Sequence, residues 1–482
     1  MITVVAHDWR ARPHRLQPRS LIVVGVLVAV CITRVLARQA TIWEWDDVIF
    51  CVALGIFAPH LGTPQAPFYP GFVFLGRVAK LVFGSDFDAL TWLSVIASCI
   101  ALGALYLLIA EWLDDRRVAL AGAAIFAFFP AVWFHAGIPL SDPSGLAAAL
   151  ACAWLAVRAR RSPGLIAMAG LAFGVAVSIR PQAALIAVAP LVLTLFRLPT
   201  ARRLAGATAS LSSAAMLYIA PIVIAGGGIA GPLRAARYQA GFVMGTDSLA
   251  AHGRTVGAVV AKYFYEIWGT WPFAVFVLAL AAYGFHVLLR SRRGLLVELL
   301  ATFLPYAIAC WVFLDPRVGG RYALPFLPMF AALMAVGAAD LETRLVPGRL
   351  PLITGLAVLW PVFMMWQPIR VMHTEPSPPV AAARAIRDSA RGVRFGVVFG
   401  SGLFPHAQYL FPDVPKVASR EAIGASPGAA DVQVWWRFGV PEEGDTTAAS
   451  WPPLAAFSRV GRGRYLTIPL GPLRTAPPHP PR

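Results

Sequence analysis

Carboxylates crowd one short stretch of this chain. Glu44, Asp46 and Asp47 lie between and beside Trp43 and Trp45, just beyond the first long apolar run. Where a chain leaves lipid, such groups are costly unless water, a cation or a substrate meets them. Asp46 and Asp47 are adjacent, so on a helix they point ~100° apart and cannot serve one point equally. One can act as a base while the other binds or caps; alternatively both cap the helix that starts near Val48.

Four further stretches carry groups of the same kind. Gln65-Ala66-Pro67-Phe68-Tyr69-Pro70-Gly71 is either a proline-fixed turn with an aromatic anchor or part of the site. Ser141-Asp142-Pro143 opens an apolar run, and Asp142 reads as a helix N-cap before Pro143 or as a binding carboxylate. Arg180-Pro181-Gln182 interrupts an otherwise apolar stretch. A deep charge there costs ~2.5–3.5 kcal/mol, so Arg180 either snorkels to an interface or meets an anion. In Asp315-Pro316-Arg317-Val318-Gly319-Gly320-Arg321-Tyr322, two arginines and a glycine pair suit a phosphate, the alternative being an ion pair to Asp315. His60, His135 and His252 could join carboxylates at a divalent cation, although no HxxH or HxxxH spacing supports this and each reads as well as an ordinary loop histidine.

What positions these groups is a membrane domain. Of 482 residues, 58% are hydrophobic and 13% charged, and mean hydropathy is +0.67. No water-soluble core hides that much apolar surface. Apolar runs recur at 21–37, 89–110, 118–134, 144–157, 163–179, 181–196, 204–225, 270–289, 295–314, 322–339 and 350–366, which predicts about eleven transmembrane helices. The net charge of +17 resides mostly in arginines of short breaks, so it reports topology and not a nucleic-acid partner. Every second break is basic: Arg116-Arg117, Arg158 to Arg161, Arg197 to Arg203, Arg290 to Arg293, and Arg344 with Arg349. Together with the basic segment 1–20 these belong on the cytoplasmic side. The stretch 39–88 is then an extracytoplasmic loop with interfacial helices, and Asp46, Asp142, Arg180 and Arg321 share its side. Residues 21–366 form the membrane domain. Residues 367–482 read as a small extracytoplasmic α/β domain, helical over Val380–Arg391 and strand-like over Val393–Phe399, Val432–Phe438 and Tyr465–Leu470, with a Pro-rich disordered end. Five scattered cysteines make no disulfide or metal framework.

Together, Trp45-Asp46-Asp47, Ala66-Pro67-Phe68-Tyr69-Pro70-Gly71, Ser141-Asp142-Pro143, Ile179-Arg180-Pro181-Gln182 and Arg321-Tyr322-Ala323-Leu324-Pro325 resemble stretches of GT-C integral-membrane glycosyltransferases. The bacterial relatives of protein O-mannosyltransferases and the aminoarabinose transferases are the nearest in pattern. Many relatives have Asp-Glu in place of Asp46-Asp47 and Pro-Pro in place of Ala66-Pro67, which leaves subfamily, sugar and acceptor open. The resemblance implies inverting transfer of mannose or a similar sugar from a polyprenyl-phosphate donor to a glycan, lipid or protein hydroxyl, in a bacterial inner membrane. On that reading Asp46 is the base, and Asp47 or Asp142 orients the acceptor or a cation. Arg180, Arg317, Arg321, Tyr322 and Tyr69 contact the donor. No cofactor follows beyond a divalent cation held by Asp46, His60 or His135. Two other classes fit the hydropathy: a lipid or polysaccharide transporter, against which the lack of an internal repeat counts, and a non-catalytic assembly subunit.

Overall fold

The computed structural model describes residues 19–246, 248, 256–314, 320–345, 351–400, 403–439, 449 and 466–470. Arg317, Asp315, His252, the basic segment before residue 19 and the Pro-rich end lie outside them.

Each of the apolar runs is helical, but local chemistry shifts their ends. Helix α1 spans Arg19–Leu36. The loop that follows carries three elements: α2 (Trp45–Gly55), a 3-10 turn at Pro59–Leu61, and α3 (Pro70–Phe83). Next comes α4 (Asp86–Leu113), started by a Ser85 cap. The run expected to span 118–134 is broken instead into α5 (Arg116–Phe128) and α6 (Pro130–Phe134). Pro130 has no N–H to give the preceding turn, and its ring drives Phe129 out of helical geometry. Helices α7 (Ser141–Ala159), α8 (Ile166–Ile179) and α9 (Pro181–Arg197) follow. Beyond them α10 (Thr200–Ala214) passes through a π turn into α11 (Ala220–Ala225). On the long connection lie α12 (Ala230–Thr246) and α13 (Val256–Phe264). The last helices of the membrane domain are α14 (Trp271–Ser291), α15 (Arg293–Phe313), α16 (Leu327–Leu345) and α17 (Leu352–Thr374). Helix α17 runs on to Thr374, past the apolar stretch that ends at 366.

Among the described residues, five helical segments are long and apolar enough to cross a bilayer: Asp86–Leu113, Thr200–Ala225, Trp271–Ser291, Arg293–Phe313 and Leu352–Ser389. Shorter apolar helices cover Val24–Leu36, Pro163–Ile179 and Pro181–Arg197. Small residues allow some of these helices to approach at backbone distance. A Cβ on Gly284 of α14 would stand 1.9 Å from the Leu333 carbonyl oxygen of α16, and Gly337 faces back at the same crossing.

The basic breaks converge at one end of the bundle. Glu111 pairs with Arg158 at 2.8 Å and Arg161 at 3.4 Å. Glu298 accepts from Arg160 Nη1 (2.7 Å) and Trp112 Nε1 (2.9 Å), while Arg160 Nε donates to Thr194 (2.9 Å). Arg292 donates to the Leu113 carbonyl at 3.0 Å. The basic breaks that follow α4, α7 and α14, and the end of α9, are therefore neighbours in space.

After α17 come α18 (Pro378–Ser389), β1 (Phe395–Phe399), α19 (Phe404–Leu410), β2 (Lys416–Val417), β3 (Val434–Gly439) and β4 (Leu466–Leu470). The sheet order is β2-β1-β3-β4, parallel except for the antiparallel β3–β4 pair. Its core, with Ala382, Ile386, Val397, Phe399, Phe411 and Phe438, is separate from the helical core. Ser377 and α19 tie this unit to the segment between α1 and α3. Ser377 N donates to Thr41 Oγ1 (2.7 Å), Ser377 Oγ donates to the Ile42 carbonyl, and α19 packs on α2.

Gly284→Ala has to push α14 off α16 at a backbone contact. It should destabilise the protein by about 1–3 kcal/mol, read as a lower midpoint of thermal unfolding in detergent, whereas Gly103→Ala, where nothing lies within 4 Å, should leave that midpoint unchanged.

Candidate functional site

The cluster begins with how α2 starts. Glu44 is its N-cap, Trp45 and Asp46 fill the first turn, and Asp47 at the third helical position completes a capping box. Asp47 Oδ2 accepts from Gln39 Nε2 (2.8 Å), Trp43 N (2.9 Å) and Glu44 N (2.9 Å). The Asp47 side chain is thus turned inward and fully buried, where it fixes the backbone that presents Asp46. Burial, with Glu44 nearby, pushes its carboxyl up to about 7.

Asp46 points the other way. Its Oδ1 accepts from Gln65 Nε2 at 2.8 Å and its Oδ2 from Arg321 Nη2. Arg321 Nη1 lies 3.8 Å from Glu44 Oε2. Arg321 comes from the 3-10 turn Gly320–Ala323 after α15, and its guanidinium sits 5.1 Å from the ring centroid of its neighbour Tyr322. Burial works against its charge, but Asp46 above all, with Tyr322, Asp142 and Glu44, holds its proton affinity well above the ordinary arginine value.

The other face of the cluster centres on Arg180. Pro181 cannot continue α8, so Arg180 is left in extended geometry (φ −157°) as the hinge between α8 and α9. It does not snorkel: its side chain is 5% exposed and lies 2.9 Å from Asp142, itself 2% exposed. Nη1 donates to Ser141 Oγ at 2.8 Å. The guanidinium also lies between two tyrosine rings, 5.9 Å from Tyr69 and 5.8 Å from Tyr322. The Asp142 contact is close but misaligned, and both carboxylate oxygens, like Arg180 Nε, lack a hydrogen-bond partner. Of the two readings of Asp142, the N-cap is not realised: Leu140 holds that position and Asp142 lies in the first turn of α7.

Tyr69 reaches Arg180 because the Gln65–Gly71 stretch is tightly bent. The Thr63-Pro64 and Ala66-Pro67 peptides are cis, and Phe68 and Tyr69 adopt left-handed φ of 69° and 48°. Left-handed geometry costs a non-glycine residue about 1–3 kcal/mol and persists only where the surroundings impose it. Here Phe50 packs edge-on against Tyr69 at 5.2 Å and against Phe72 at 4.9 Å. A Cβ on Gly71 would meet the Ser178 backbone at 2.9 Å, so only glycine seats α3 this close to α8.

Asp46, Asp142, Arg180, Arg321, Tyr322 and Tyr69 therefore come together, Asp47 supports them from behind, and Arg317 lies outside the described residues. Glu44 and Gln65 belong to the cluster by contact, a role their positions in the sequence did not disclose. Tyr306, buried inside α15 and close enough to Arg180 and Asp142 to feel both charges, carried no signal at all.

Among the described residues no group of three His, Cys, Asp or Glu side chains could hold a metal ion. His60 is exposed on its 3-10 turn beside α12, His135 is buried with Nδ1 2.6 Å from the Ala131 carbonyl, and both oxygens of Asp46 face cationic or amide N–H groups. Asp46, His60 and His135 do not form a ligand set.

Residues 65–226 match the sequence family described as dolichyl-phosphate-mannose-protein mannosyltransferase. ArnT from Cupriavidus metallidurans, bound to undecaprenyl phosphate, superposes with a TM-score of 0.54 at 12% identity, over 94% of this chain and 98% of that one. The fold is that of the GT-C glycosyltransferases. The Archaeoglobus fulgidus oligosaccharyltransferase, in complex with Zn and sulfate, matches at a TM-score of 0.50 and 15% identity, over 86% of this chain and 68% of that one. The mycobacterial arabinofuranosyltransferase AftD matches at 0.50 and 15%, with 95% of this chain covered but only 40% of AftD. No curated protein matches the sequence.

Arg180→Gln strands Asp142 as a buried unpaired carboxylate and should cost about 3–5 kcal/mol; adding Asp142→Asn should recover most of that loss in a thermal unfolding assay. Asp47 sets a pH dependence instead. A carboxyl whose folded-state value is about 7, above its unfolded one, favours folding most strongly below the unfolded value of about 4 and loses that contribution as pH rises toward 7. Asp47→Asn, which keeps an acceptor for the same N–H groups, should flatten the pH dependence of unfolding between those limits.

Proposed function

We propose that this chain is a membrane glycosyltransferase that moves a sugar from a polyprenyl-phosphate donor to a hydroxyl acceptor, with inversion, on the extracytoplasmic side. One observation carries the reading. Arg180 and Arg321 both lie within 6 Å of the Tyr322 ring centroid, at 5.8 and 5.1 Å, and beside them Asp46 is the most open charged group, 18% exposed against 2–9% for Asp142, Arg180, Arg321 and Glu44.

Each group then has work suited to its chemistry. The acceptor O–H gives its proton to Asp46 as its oxygen bonds to the anomeric carbon; a positioned base of this kind contributes ~10²–10⁴-fold. The bond from that carbon to the donor phosphate breaks, and its electron pair leaves on the phosphate oxygen. That oxygen gains a full negative charge, which Arg321 meets with planar donors, reinforced by the field of Arg180 behind it. Attack and departure on opposite faces of the carbon give inversion. Asp142, whose oxygens lack hydrogen-bond donors, accepts from sugar or acceptor hydroxyls, and Tyr69 and Tyr322 supply flat surfaces for the ring. A prenyl chain lies against the apolar flanks of the bundle, each buried CH₂ contributing ~0.8 kcal/mol.

Support comes from three sides. The matched family is described by a mannose donor on a dolichyl phosphate, and the ArnT structure holds undecaprenyl phosphate. The basic breaks gather at the end of the bundle remote in sequence from these site loops, as a cytoplasmic face requires. The sugar belongs to the hexose or pentose class, and the acceptor is a glycan, lipid or protein hydroxyl.

Purified protein in nanodiscs, given radiolabelled polyprenyl-phosphate sugars, should transfer label to a hydroxyl acceptor. Asp46→Asn keeps size and polarity but removes the base, and should lower the rate at least 100-fold with folding intact. Undiminished transfer by that variant would falsify the assignment of the base.

A further inference from the structure

Glu44 is the one carboxylate of the cluster to which the proposed reaction gives nothing to do. It is 9% exposed in its side chain, caps α2, and faces Arg321 Nη1 at 3.8 Å. Arg321 is therefore held between two carboxylates, with Nη1 toward Glu44 and Nη2 on Asp46. This poses a difficulty for the mechanism, on which the inference rests. A base that is ion-paired to an arginine is a weakened base, and an arginine paired to that base is not on the phosphate.

We propose that Glu44 is a positioning residue that makes Arg321 a donor-operated switch. Glu44 keeps Nη1 in place as a pivot. When the donor phosphate enters on the open, Asp46 side of the cluster, Nη2 turns from Asp46 to a phosphate oxygen. Two features permit the turn without loss of order. The guanidinium lies over the Tyr322 ring at 5.1 Å, a face along which a planar cation can move while remaining stabilised. Asp46 stays aimed because its other oxygen is held by Gln65 Nε2 at 2.8 Å. Release of Asp46 is thereby tied to arrival of the donor. No covalent step is added; one N–H···O contact is exchanged for another. The consequence is an ordered reaction in which the acceptor is deprotonated only after the donor is seated, so the free enzyme holds no active base.

Kinetics can separate this role from simple helix capping. Gln at position 44 keeps a side-chain oxygen for the cap but loses the charge that holds Nη1. Glu44→Asp keeps both the charge and a strong capping side chain, but is one methylene too short to reach Arg321. With the pivot lost, both variants should fold normally, show a kcat at least tenfold lower, and leave KM for the donor unchanged or reduced. The acid limb of the kcat–pH profile should also lie lower than in the wild type, because Arg321 remains on Asp46. A second readout needs no turnover: site-resolved carbodiimide labelling of Asp46 in the wild type should rise severalfold when polyprenyl phosphate is added, and should not rise in Glu44→Gln. If Glu44→Asp is as active as wild type, Glu44 is only a cap and the inference is overturned. It is overturned equally if Asp46 labelling ignores polyprenyl phosphate while the wild type transfers sugar. Absence of transfer by the wild type with every polyprenyl-phosphate donor overturns the proposed function and this inference together.

Discussion

Burying arginine is the constraint on which the rest of this structure depends. Arg180 and Arg321 are both withdrawn from water, and a buried cation persists only where carboxylates and π faces replace its hydration. Asp142 and Ser141 serve Arg180, while Asp46 and Glu44 serve Arg321, and the Tyr322 ring lies close to both guanidinium groups. The partners come from the loop before α2, the start of α7, the joint between α8 and α9, and the turn after α15. Four distant parts of the chain must therefore be brought to one point with little freedom, and the helices between them serve as spacers of fixed length.

Small residues and prolines set that point. Pro181 breaks the chain where Arg180 must turn inward, and Gly145 of α7 leaves room for the Arg180 side chain, whose Cβ would lie 2.5 Å from an added methyl. Gly71 seats α3 on α8 so that Tyr69 can lie against the guanidinium. These are packing solutions to an electrostatic demand, and they explain why strained backbone at Phe68 and Tyr69 is tolerated beside the cluster.

Much of this was legible in the sequence because charge is conspicuous in an apolar background. Asp46, Arg180 and Arg321 each interrupt or end a long hydrophobic run, and alternation of the basic breaks assigns them to a common side. Pairwise contacts could not be read in the same way. Asp46 and Arg321 are 275 residues apart, and no local pattern states that they touch. Glu44 and Asp47 looked alike as neighbours of Asp46; only the direction of the helix start separates the inward cap from the group that faces Arg321. Asp142 before Pro143 matched a capping signature, yet the helix begins two residues earlier, at Ser141, and frees its carboxylate. The uninterrupted apolarity of 118–134 concealed the break at Phe129-Pro130, and Tyr306 is lost among the other apolar and aromatic residues of its helix. His60 and His135 were grouped with Asp46 only by an expected side of the membrane, which does not bring groups within bonding distance of a cation.

The corner between α17 and α18 also bears on the order in which the molecule is assembled. Met372 accepts from Ala40 N at 2.9 Å, His373 Nδ1 contacts the Arg38 carbonyl at 2.8 Å, and Ser377 holds Thr41 and Ile42 from 336 and 335 residues away. The segment leading into Asp46 leaves the ribosome more than 330 residues before the residues that fasten it. Until translation has passed residue 377, the acidic stretch has neither Arg321 nor its backbone clasp in its final arrangement. Completion of the site thus waits on synthesis of the α17–α18 corner, and a chain abandoned before it during insertion into the membrane carries an unassembled centre.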